Sequence, residues 1–278
     1  MNHINNNFSV DYAFLDSGTG GIPYMLSLKE KQPSSTFVYL GDTKNFPYGE
    51  KSYFQIEKCA SQAVELIQKK WNPKTVIIAC NTISVTALDS LRKKFPSIPI
   101  VGTVPAIKLA AKVSKNRRIG FLATTASVNH PYSQKLIEDF ASDCVVVKRA
   151  DPALISFVEK NYFNSTEKEK ETALKDSLDF FRKNNCDTVI LGCTHFTHIA
   201  KKMQEMAGEK IKIIDSREGV SNQAIRVESS VISNISTEKK ENIPFENMSF
   251  FVTKATFDEE KEYKTLCKNL SIPWGGVV

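Results

Sequence analysis

Short, almost uninterrupted apolar runs alternate along this chain with longer segments whose apolar residues recur every three or four positions. Strands covered on both faces of a parallel sheet give the first pattern, and amphipathic helices give the second. The helical pattern is clearest over residues 53–67, recurs over 174–181 and is looser over 225–231. The alternation predicts an α/β fold with right-handed crossovers. The predicted strands are Tyr12–Leu15, Thr36–Leu40, Thr75–Ala79, Ile98–Val101, Ile119–Leu122, Val145–Val147, Thr188–Leu191, Ile211–Ile214 and Phe250–Val252.

Two segments of the first half of the chain resemble two segments of the second half, in the same order. Residues 13–17 (AFLDS) resemble residues 120–124 (GFLAT), and residues 72–80 (NPKTVIIAC) resemble residues 185–193 (NCDTVILGC). Both of the longer segments end a predicted strand on a cysteine. The two echoes indicate half-molecules that repeat one architecture, each with a thiol at the same place.

The length of 278 residues is enough for about two domains at about 100–200 residues each. We therefore predict two pseudo-symmetric, doubly wound α/β domains with mainly parallel sheets and an active-site cleft between them. The first domain is discontinuous and holds residues 1–103 and 214–278, and the second holds residues 104–213.

Composition excludes several classes of protein. Apolar residues make up 41% and charged residues 24%, which is typical of a globular chain and not of a disordered or collagenous one. The net charge of +6 comes from dispersed lysines, many beside glutamates, without interleaved aromatic residues, so we expect no nucleic acid as the primary partner. Neither a signal-peptide pattern nor a run of 18 apolar residues is present, and the six cysteines show no CxxC spacing. We expect free thiols, no membrane partner and a cytoplasmic location.

Polar residues follow the predicted strands, at the edge where open parallel sheets bind ligands. They supply carboxylates, hydroxyls, an amide, an imidazole and two thiols. This chemistry predicts a site for a small polar molecule. The polar residues at these strand ends are Asp16, Ser17, Thr19, Asp42, Thr43, Cys80, Asn81, Thr82, Thr124, Thr125, Cys193, Thr194 and His195.

A glycine-rich segment, residues 16–21 (DSGTGG), follows the first strand and could bind an anion on free backbone amides. The third glycine of a dinucleotide-binding fingerprint is replaced there by Tyr24 or Met25, and GxxxxGK[ST] does not occur. A substrate carboxylate is therefore favoured over a phosphate cofactor. We expect neither a cofactor nor a metal.

Cys80 and Cys193 carry the sharpest chemical signal. A thiol at the start of a helix is expected to have a lowered pKa, because it lies at the positive end of the helix dipole. Two such thiols across a cleft suit a reaction that needs proton transfer on opposite faces of one carbon. His195 is expected to assist the second thiol. The remaining cysteines (Cys59, Cys144, Cys186 and Cys267) are interpreted as packing residues, and His130 and His198 as surface or packing residues.

Five motifs in the order and spacing of a known family run along nearly the whole chain, from about Ala13 to the final helix. They are residues 16–21 (DSGTGG), 41–43 (GDT) with 47–49 (PYG), 79–82 (ACNT), 104–108 (VPAIK) and 191–195 (LGCTH). The chain resembles the glutamate racemases of the aspartate/glutamate racemase superfamily. The resemblance implies a cofactor-independent interconversion of L- and D-glutamate that supplies D-glutamate to bacterial peptidoglycan, in an enzyme that is commonly a homodimer.

The resemblance also implies residue roles. Cys80 would remove the α-proton from D-glutamate and Cys193 from L-glutamate, while the other thiol returns a proton to the opposite face. Asp16 would assist the first thiol, and His195 and Glu159 the second. The implied substrate contacts are Asp16, Ser17, Pro47, Tyr48, Gly49, Asn81, Thr82, Thr124, Thr194 and His195.

Without pyridoxal phosphate as an electron sink, a carbanion beside a carboxylate needs hydrogen-bond donors. We expect backbone amides, Ser17, Asn81, Thr82 and Thr194 to supply them. Two alternatives stay open. The same fold could racemise aspartate or another small amino acid, including a hydantoin-like relative. A protein of another class would use these thiols to sense oxidation.

Overall fold

The computed structural model describes residues 10–232 and 247–278. Strands and helices alternate through these ranges, as the apolar pattern predicts. The strands are β1 (Val10–Asp16), β2 (Phe37–Gly41), β3 (Pro73–Ile78), β4 (Ile100–Gly102), β5 (Arg118–Ala123), β6 (Val145–Ala150), β7 (Thr188–Gly192), β8 (Lys212–Ile214), β9 (Met248–Val252) and β10 (Trp274–Val277). The helices are α1 (Ile22–Lys31), α2 (Tyr53–Trp71), α3 (Asn81–Lys94), α4 (Ile107–Val113), α5 (Thr125–Asn129), α6 (Pro131–Phe140), α7 (Pro152–Lys160), α8 (Glu167–Lys183), α9 (Ala200–Ala207), α10 (Arg217–Ile232) and α11 (Phe257–Leu270).

The strands form two sheets, ordered β10-β9-β2-β1-β3-β4 and β6-β5-β7-β8. Within the described residues every strand pairing is parallel. The order β2-β1-β3-β4 in the first sheet repeats as β6-β5-β7-β8 in the second. The repeat confirms the pseudo-symmetry predicted from the two echoes, and β9 and β10 extend only the first sheet.

Helices cover both faces of each sheet, which confirms the doubly wound α/β class. On the first sheet, one face packs against α2 and α3 and the other against α1, α10 and α11. On the second sheet, α7, α8 and α9 cover one face, and α4 and α6 cover the other. The strands are therefore buried on both sides, which is why their sequences are nearly continuous apolar runs.

Each of the longer echoes begins with the same backbone turn. Asn72 follows α2 with φ of 38°, and Asn185 lies just after α8 with φ of 53°. Asparagine tolerates this left-handed region better than most residues, so it can end a helix and turn the chain into the next strand. The sequence repeat therefore includes the turn that leads from a helix into β3 and the equivalent turn that leads into β7.

All nine predicted strands are strands, with shifts at their ends, and the three helical patterns lie in α2, α8 and α10. The sequence analysis missed β10, because its two consecutive glycines (Gly275 and Gly276) do not resemble an apolar run. The first sheet draws on residues 10–102 and 248–277, and the second on residues 118–214; the domain boundaries themselves stay a prediction. Across residues 10–232 and 247–278, none of the helices combines the length and apolarity needed to cross a membrane.

Candidate active site

A cavity of about 320 Å³ is lined by loops from both sheets, at the carboxyl ends of the strands. This is the edge at which open parallel sheets bind ligands, and the volume suits a small molecule. The lining includes both predicted cysteines and every predicted substrate contact except Asp16. The lining residues are Ser17, Phe46, Pro47, Tyr48, Gly49, Glu50, Cys80, Asn81, Thr82, Thr124, Thr125, Pro152, Ile155, Ser156, Lys160, Cys193, Thr194 and His195.

The two cysteines line this cavity from equivalent strands. Cys80 follows β3 and is the N-cap of α3, whereas Cys193 follows β7 and precedes a short 3₁₀ turn, Thr194–Thr197. Both are free thiols, and only 5% of Cys80 and 4% of Cys193 is exposed. Two sequestered thiols, one from each sheet, therefore share a single cavity.

The Cys80 thiol lies close enough to the carboxyl group of Asp16 to interact with it electrostatically. Burial, and then the negative charge of Asp16, raises the pKa of the Cys80 thiol well above its ordinary value, although the backbone amide of Ile83 opposes this. The expectation that a helix N-terminus lowers this pKa is therefore wrong here, because desolvation outweighs the helix dipole. The neutral thiol is the favoured form, and it can give a proton to a carbanion.

Asp16 ends β1 and is fully buried, one layer behind the lining residues. Its Oδ1 accepts a hydrogen bond from the Ser17 amide at 2.7 Å, and its Oδ2 accepts one from the Gly21 amide at 2.7 Å. Burial raises the pKa of Asp16, while the charge of His195 and the Ser17 amide oppose the rise. These donors hold the carboxyl group in one orientation behind the first thiol.

Cys193 has a different partner. Its Sγ lies 3.7 Å from Nδ1 of His195, and Nε2 of His195 lies 2.8 Å from Oε2 of Glu159. Burial works to lower the pKa of His195, but hydrogen bonds with Cys193 and Glu159 outweigh it and raise this pKa well above its ordinary value. Burial works to raise the pKa of Glu159, but hydrogen bonds from His195 and Thr19 outweigh it and lower that pKa. The structure thus sets an imidazolium–carboxylate pair beside the second thiol.

The glycine-rich loop makes this second arrangement possible. A Cβ on Gly18 would lie 2.6 Å from Oε1 of Glu159, and a Cβ on Gly20 would lie 2.4 Å from Nδ1 of His195. Only glycine permits such close approach of a backbone to these two side chains. The amide of Thr19 donates to Glu159 at 2.9 Å. The anion that this amide binds is therefore one of the protein's own carboxylates, whereas the sequence favoured a substrate carboxylate.

Hydroxyl groups join the two walls of the cavity. The hydroxyls of Thr82 and Thr124, which follow β3 and β5, lie 3.0 Å apart. The hydroxyl of Thr194, which follows β7, donates to Asp16 Oδ2 at 3.2 Å. A Cβ on Gly49 would lie 3.0 Å from Cβ of Thr124, so this loop also packs tightly across the cleft. Loops of the two sheets therefore contact each other directly around the cavity.

The side-chain amide of Asn81 has a hydrogen-bond donor and an acceptor that are both left unpaired by the described residues around the cavity. Its side chain is buried and lines the cavity, and neither Oδ1 nor Nδ2 has a hydrogen-bond partner in the described parts of the chain. Leaving such a group unpaired costs about 1–3 kcal/mol, which a polar ligand would recover. The Tyr48 hydroxyl, by contrast, already donates to Asp42 at 2.7 Å.

Six lining residues were missed by the sequence analysis: Phe46, Glu50, Pro152, Ile155, Ser156 and Lys160. Four of them lie on α7, at the three- and four-residue spacing of one helix face, and this periodicity could have found them once Glu159 was singled out. Phe46 precedes the predicted Pro47, and its ring lies 5.7 Å from the His195 ring. The missed residues are thus neighbours of predicted ones.

The residues interpreted as packing lie outside the cavity lining. Cys59 lies within α2 and Cys267 within α11, while Cys144 and Cys186 precede β6 and β7. His130 is the half-buried N-cap of α6. His198 is also half-buried and contacts the glycine-rich loop at Thr19.

Comparison with known proteins gives one family. Residues 26–221 match the Asp/Glu/Hydantoin racemase family. The glutamate racemase of Treponema pallidum (strain Nichols) is 40% identical over 216 residues, which cover 78% of this chain and 80% of the relative. The glutamate racemase of Shewanella halifaxensis (strain HAW-EB4) is 34% identical over 263 residues, which cover 92% of this chain and 96% of the relative.

The fold agrees with this result. A crystal structure of Escherichia coli glutamate racemase, in complex with L-glutamate and the activator UDP-MurNAc-Ala, matches with a TM-score of 0.80 and 25% identity. The match covers 96% of this chain and 97% of that one. With the family match over most of its length and relatives above one third identity, this chain belongs to the Asp/Glu/Hydantoin racemase family.

Proposed function

We propose that this racemase interconverts L- and D-glutamate without a cofactor: the thiolate of one cysteine removes the proton from Cα, and the thiol of the other donates a proton to the opposite face of the same carbon. The observation that carries the proposal is the pair of buried thiols lining one small cavity from equivalent strands. The relatives compared above are named glutamate racemases, which favours glutamate within the family.

In this scheme each thiol acts on one enantiomer. Cys193, beside the imidazolium of His195, removes the proton from L-glutamate, and Cys80 supplies a proton to the opposite face. The raised pKa of Cys80 keeps its thiol protonated for that step. In the reverse direction Cys80 is the base, and Cys193 returns the proton with help from His195 and Glu159. Each step exchanges one proton at Cα, so no oxidant or reductant is needed.

The carbanion is stabilised by donors that line the cavity. In this scheme the side chains of Ser17, Asn81, Thr82, Thr124 and Thr194, which line the cavity, and the backbone amides near them bind the two substrate carboxylates. A preorganised donor whose hydrogen bond strengthens in the transition state is worth about 2.7–4 kcal/mol. Exclusion of water from a closed cavity strengthens each of these interactions.

The proposal is tested by racemisation in deuterium oxide, followed by circular dichroism for turnover and mass spectrometry for label at Cα. We expect the wild-type protein to produce the opposite enantiomer with deuterium at Cα. Cys80→Ala and Cys193→Ala should each lose at least about 10²–10⁴-fold in turnover, the usual contribution of a positioned acid or base. Cys59→Ala, outside the cavity, is the matched control. Near-wild-type turnover in either active-site variant would contradict the two-thiol scheme.

Aspartate is the second candidate substrate, because the family includes racemases of both acids. One methylene is worth only about 1–3 kcal/mol of discrimination in a pocket. Comparison of kcat/KM for the two acids decides between them, and we expect glutamate to be preferred.

The cellular setting belongs to the same proposal. D-glutamate made by this chain would supply peptidoglycan precursors in the cytoplasm, and the active form would be a homodimer. Light scattering on the purified protein tests the dimer, and loss of D-glutamate from cells lacking the protein tests the supply.

A further inference from the structure

Thr19, at the centre of the glycine-rich loop, joins the two sheets through the carboxylate of Glu159. Its amide donates to Glu159 Oε2 at 2.9 Å, and its hydroxyl donates to the same oxygen at 2.6 Å. Thr19 itself is fully buried. It follows β1 of the first sheet, whereas Glu159 lies on α7 after β6 of the second, so these hydrogen bonds cross the cleft.

The backbone of Thr19 is in turn held by His198. Nε2 of His198 lies 2.9 Å from the Thr19 carbonyl oxygen, and the His198 ring packs edge-on against Phe163, with centroids 5.1 Å apart. Burial lowers the pKa of His198 to about 4, so its ring is neutral near pH 7. Because a carbonyl oxygen only accepts, the proton of this neutral ring is on Nε2.

We propose that Thr19 is a positioning residue for the racemisation: it keeps Glu159 anionic and directed at His195, while His198 fixes Thr19 in place. The inference rests on the proposed function, since it concerns the acid–base group beside Cys193. Thr19 is hydrogen-bonded to Glu159 and to neither cysteine, so it acts on the reaction through Glu159.

The physical reason is the burial of Glu159. A carboxylate withdrawn from water takes up a proton unless donors compensate for the lost hydration. Oε2 receives three hydrogen bonds, two from Thr19 and one from His195. Without the Thr19 hydroxyl, the anion would lose its shortest contact, and a protonated Glu159 could no longer hold His195 as an imidazolium.

Other groups also set the charge of this pair. The electrostatic neighbours of Glu159 and His195 from the surrounding elements are Asp16, Tyr39, Cys193, His198 and Tyr263. The hydroxyl of Thr19 donates its hydrogen bond to Glu159 and to none of these groups. Substitution at Thr19 therefore isolates the contribution of one donor.

The test compares Thr19→Val with Thr19→Ser. Valine keeps the branched shape and the backbone amide but lacks the hydroxyl, whereas serine retains it. We expect Thr19→Val to lower kcat/KM about tenfold, within the roughly 10–100-fold usual for an outer-layer partner. The alkaline limb of its pH profile should move to lower pH, because His195 loses its proton more easily. Thr19→Ser, which keeps the hydroxyl, should leave both kcat/KM and the alkaline limb close to those of the wild-type protein. Thr75→Val is the control, since Thr75 is equally buried in β3 and its hydroxyl has no partner among the described residues.

A second measurement does not depend on turnover. In protein labelled with carbon-13 at histidine Cε1, the His195 signal is assigned with His195→Asn and titrated by NMR. We expect its midpoint to fall in Thr19→Val and to recover in Thr19→Ser. An unchanged midpoint and pH profile in Thr19→Val would overturn the inference. If Thr19→Val does not fold, His198→Leu takes its place, and an unchanged His195 midpoint in that variant would likewise overturn it. Failure of the wild-type protein to racemise glutamate would instead overturn the proposed function and leave this titration valid.

Discussion

The surroundings of Cys80 and Cys193 differ although the two thiols occupy equivalent places in a repeated fold. Cys80 has the carboxyl group of Asp16 as its partner, and Cys193 has the imidazole of His195. At the position that corresponds to Asp16 in the shorter echo, the second half has Ala123. The backbone was repeated, but the acid–base chemistry was built separately on each side.

This difference teaches how a symmetric reaction can use an asymmetric site. A negative neighbour favours the neutral thiol at Cys80, and a positive neighbour stabilises negative charge that develops on Cys193. In the proposed scheme, the same kind of proton-transfer step is therefore assisted by a carboxyl group beside one thiol and by an imidazole beside the other.

The largest expected effect comes from removing either partner. Asp16→Asn and His195→Asn should each lower kcat/KM by about 10²–10⁴-fold. In the proposed scheme Asp16 assists Cys80, so Asp16→Asn should enlarge the primary isotope effect for D-glutamate deuterated at Cα, and His195→Asn should enlarge that for L-glutamate. His130→Asn, at a helix cap outside the cavity, is the control. Equal isotope effects for both enantiomers in both variants would contradict the division of roles.

The next largest effect concerns the glycine-rich loop, residues 16–21, which packs against Glu159 and His195 beside Cys193. Gly20→Ala places a Cβ within 2.4 Å of Nδ1 of His195, so the imidazole must leave its place beside Cys193. We expect kcat to fall about 10²-fold, at the low end of what a misplaced acid or base costs. Gly219→Ala is the matched control, since nothing lies within 4 Å of its added Cβ. Activity that survives Gly20→Ala would show that His195 is dispensable.

Glu159→Gln should have a moderate effect, about 10–100-fold on kcat/KM. The folded-state pKa of His195 is raised, so the stabilisation it gives is complete below its ordinary pKa and is lost as pH rises through the raised value. Removal of the Glu159 charge lowers that value, and both the alkaline limb of activity and the alkaline loss of stability should move to lower pH. Rate profiles and thermal melts between pH 6 and 10 measure the shift, and identical curves for the two proteins would refute it.

The smallest effect is in thiol reactivity. Alkylating reagents attack the thiolate, so Cys80, whose pKa is raised, should react slowly with iodoacetamide at pH 7. Asp16→Asn should increase the Cys80 rate by about tenfold, the change given by one pKa unit. Peptide mass spectrometry follows the two sites in one sample. A Cys80 labelling rate that Asp16→Asn leaves unchanged would contradict this effect of the Asp16 charge.

The sequence was informative where burial or repetition leaves a pattern. Strands covered on both faces must be apolar throughout, so β1, β3, β5 and β7 could be predicted, and the echo placed both cysteines at strand ends. It was misleading about Cys80, because a helix start is visible in sequence while the depth of burial and the approach of Asp16 are not. Glu159 could be proposed only from the family resemblance, since its contact with Thr19 joins residues 140 positions apart.

The parallel pairing of β9 with β2 has a consequence for synthesis of the chain. A polypeptide leaves the ribosome with its N-terminus first, so β2 remains at an open sheet edge until Met248–Val252 have been made. The four strands of the second sheet, all drawn from residues 118–214, are available earlier. An unpaired strand edge can bind other chains, and β9 therefore also protects the edge of β2 from aggregation once it has been made.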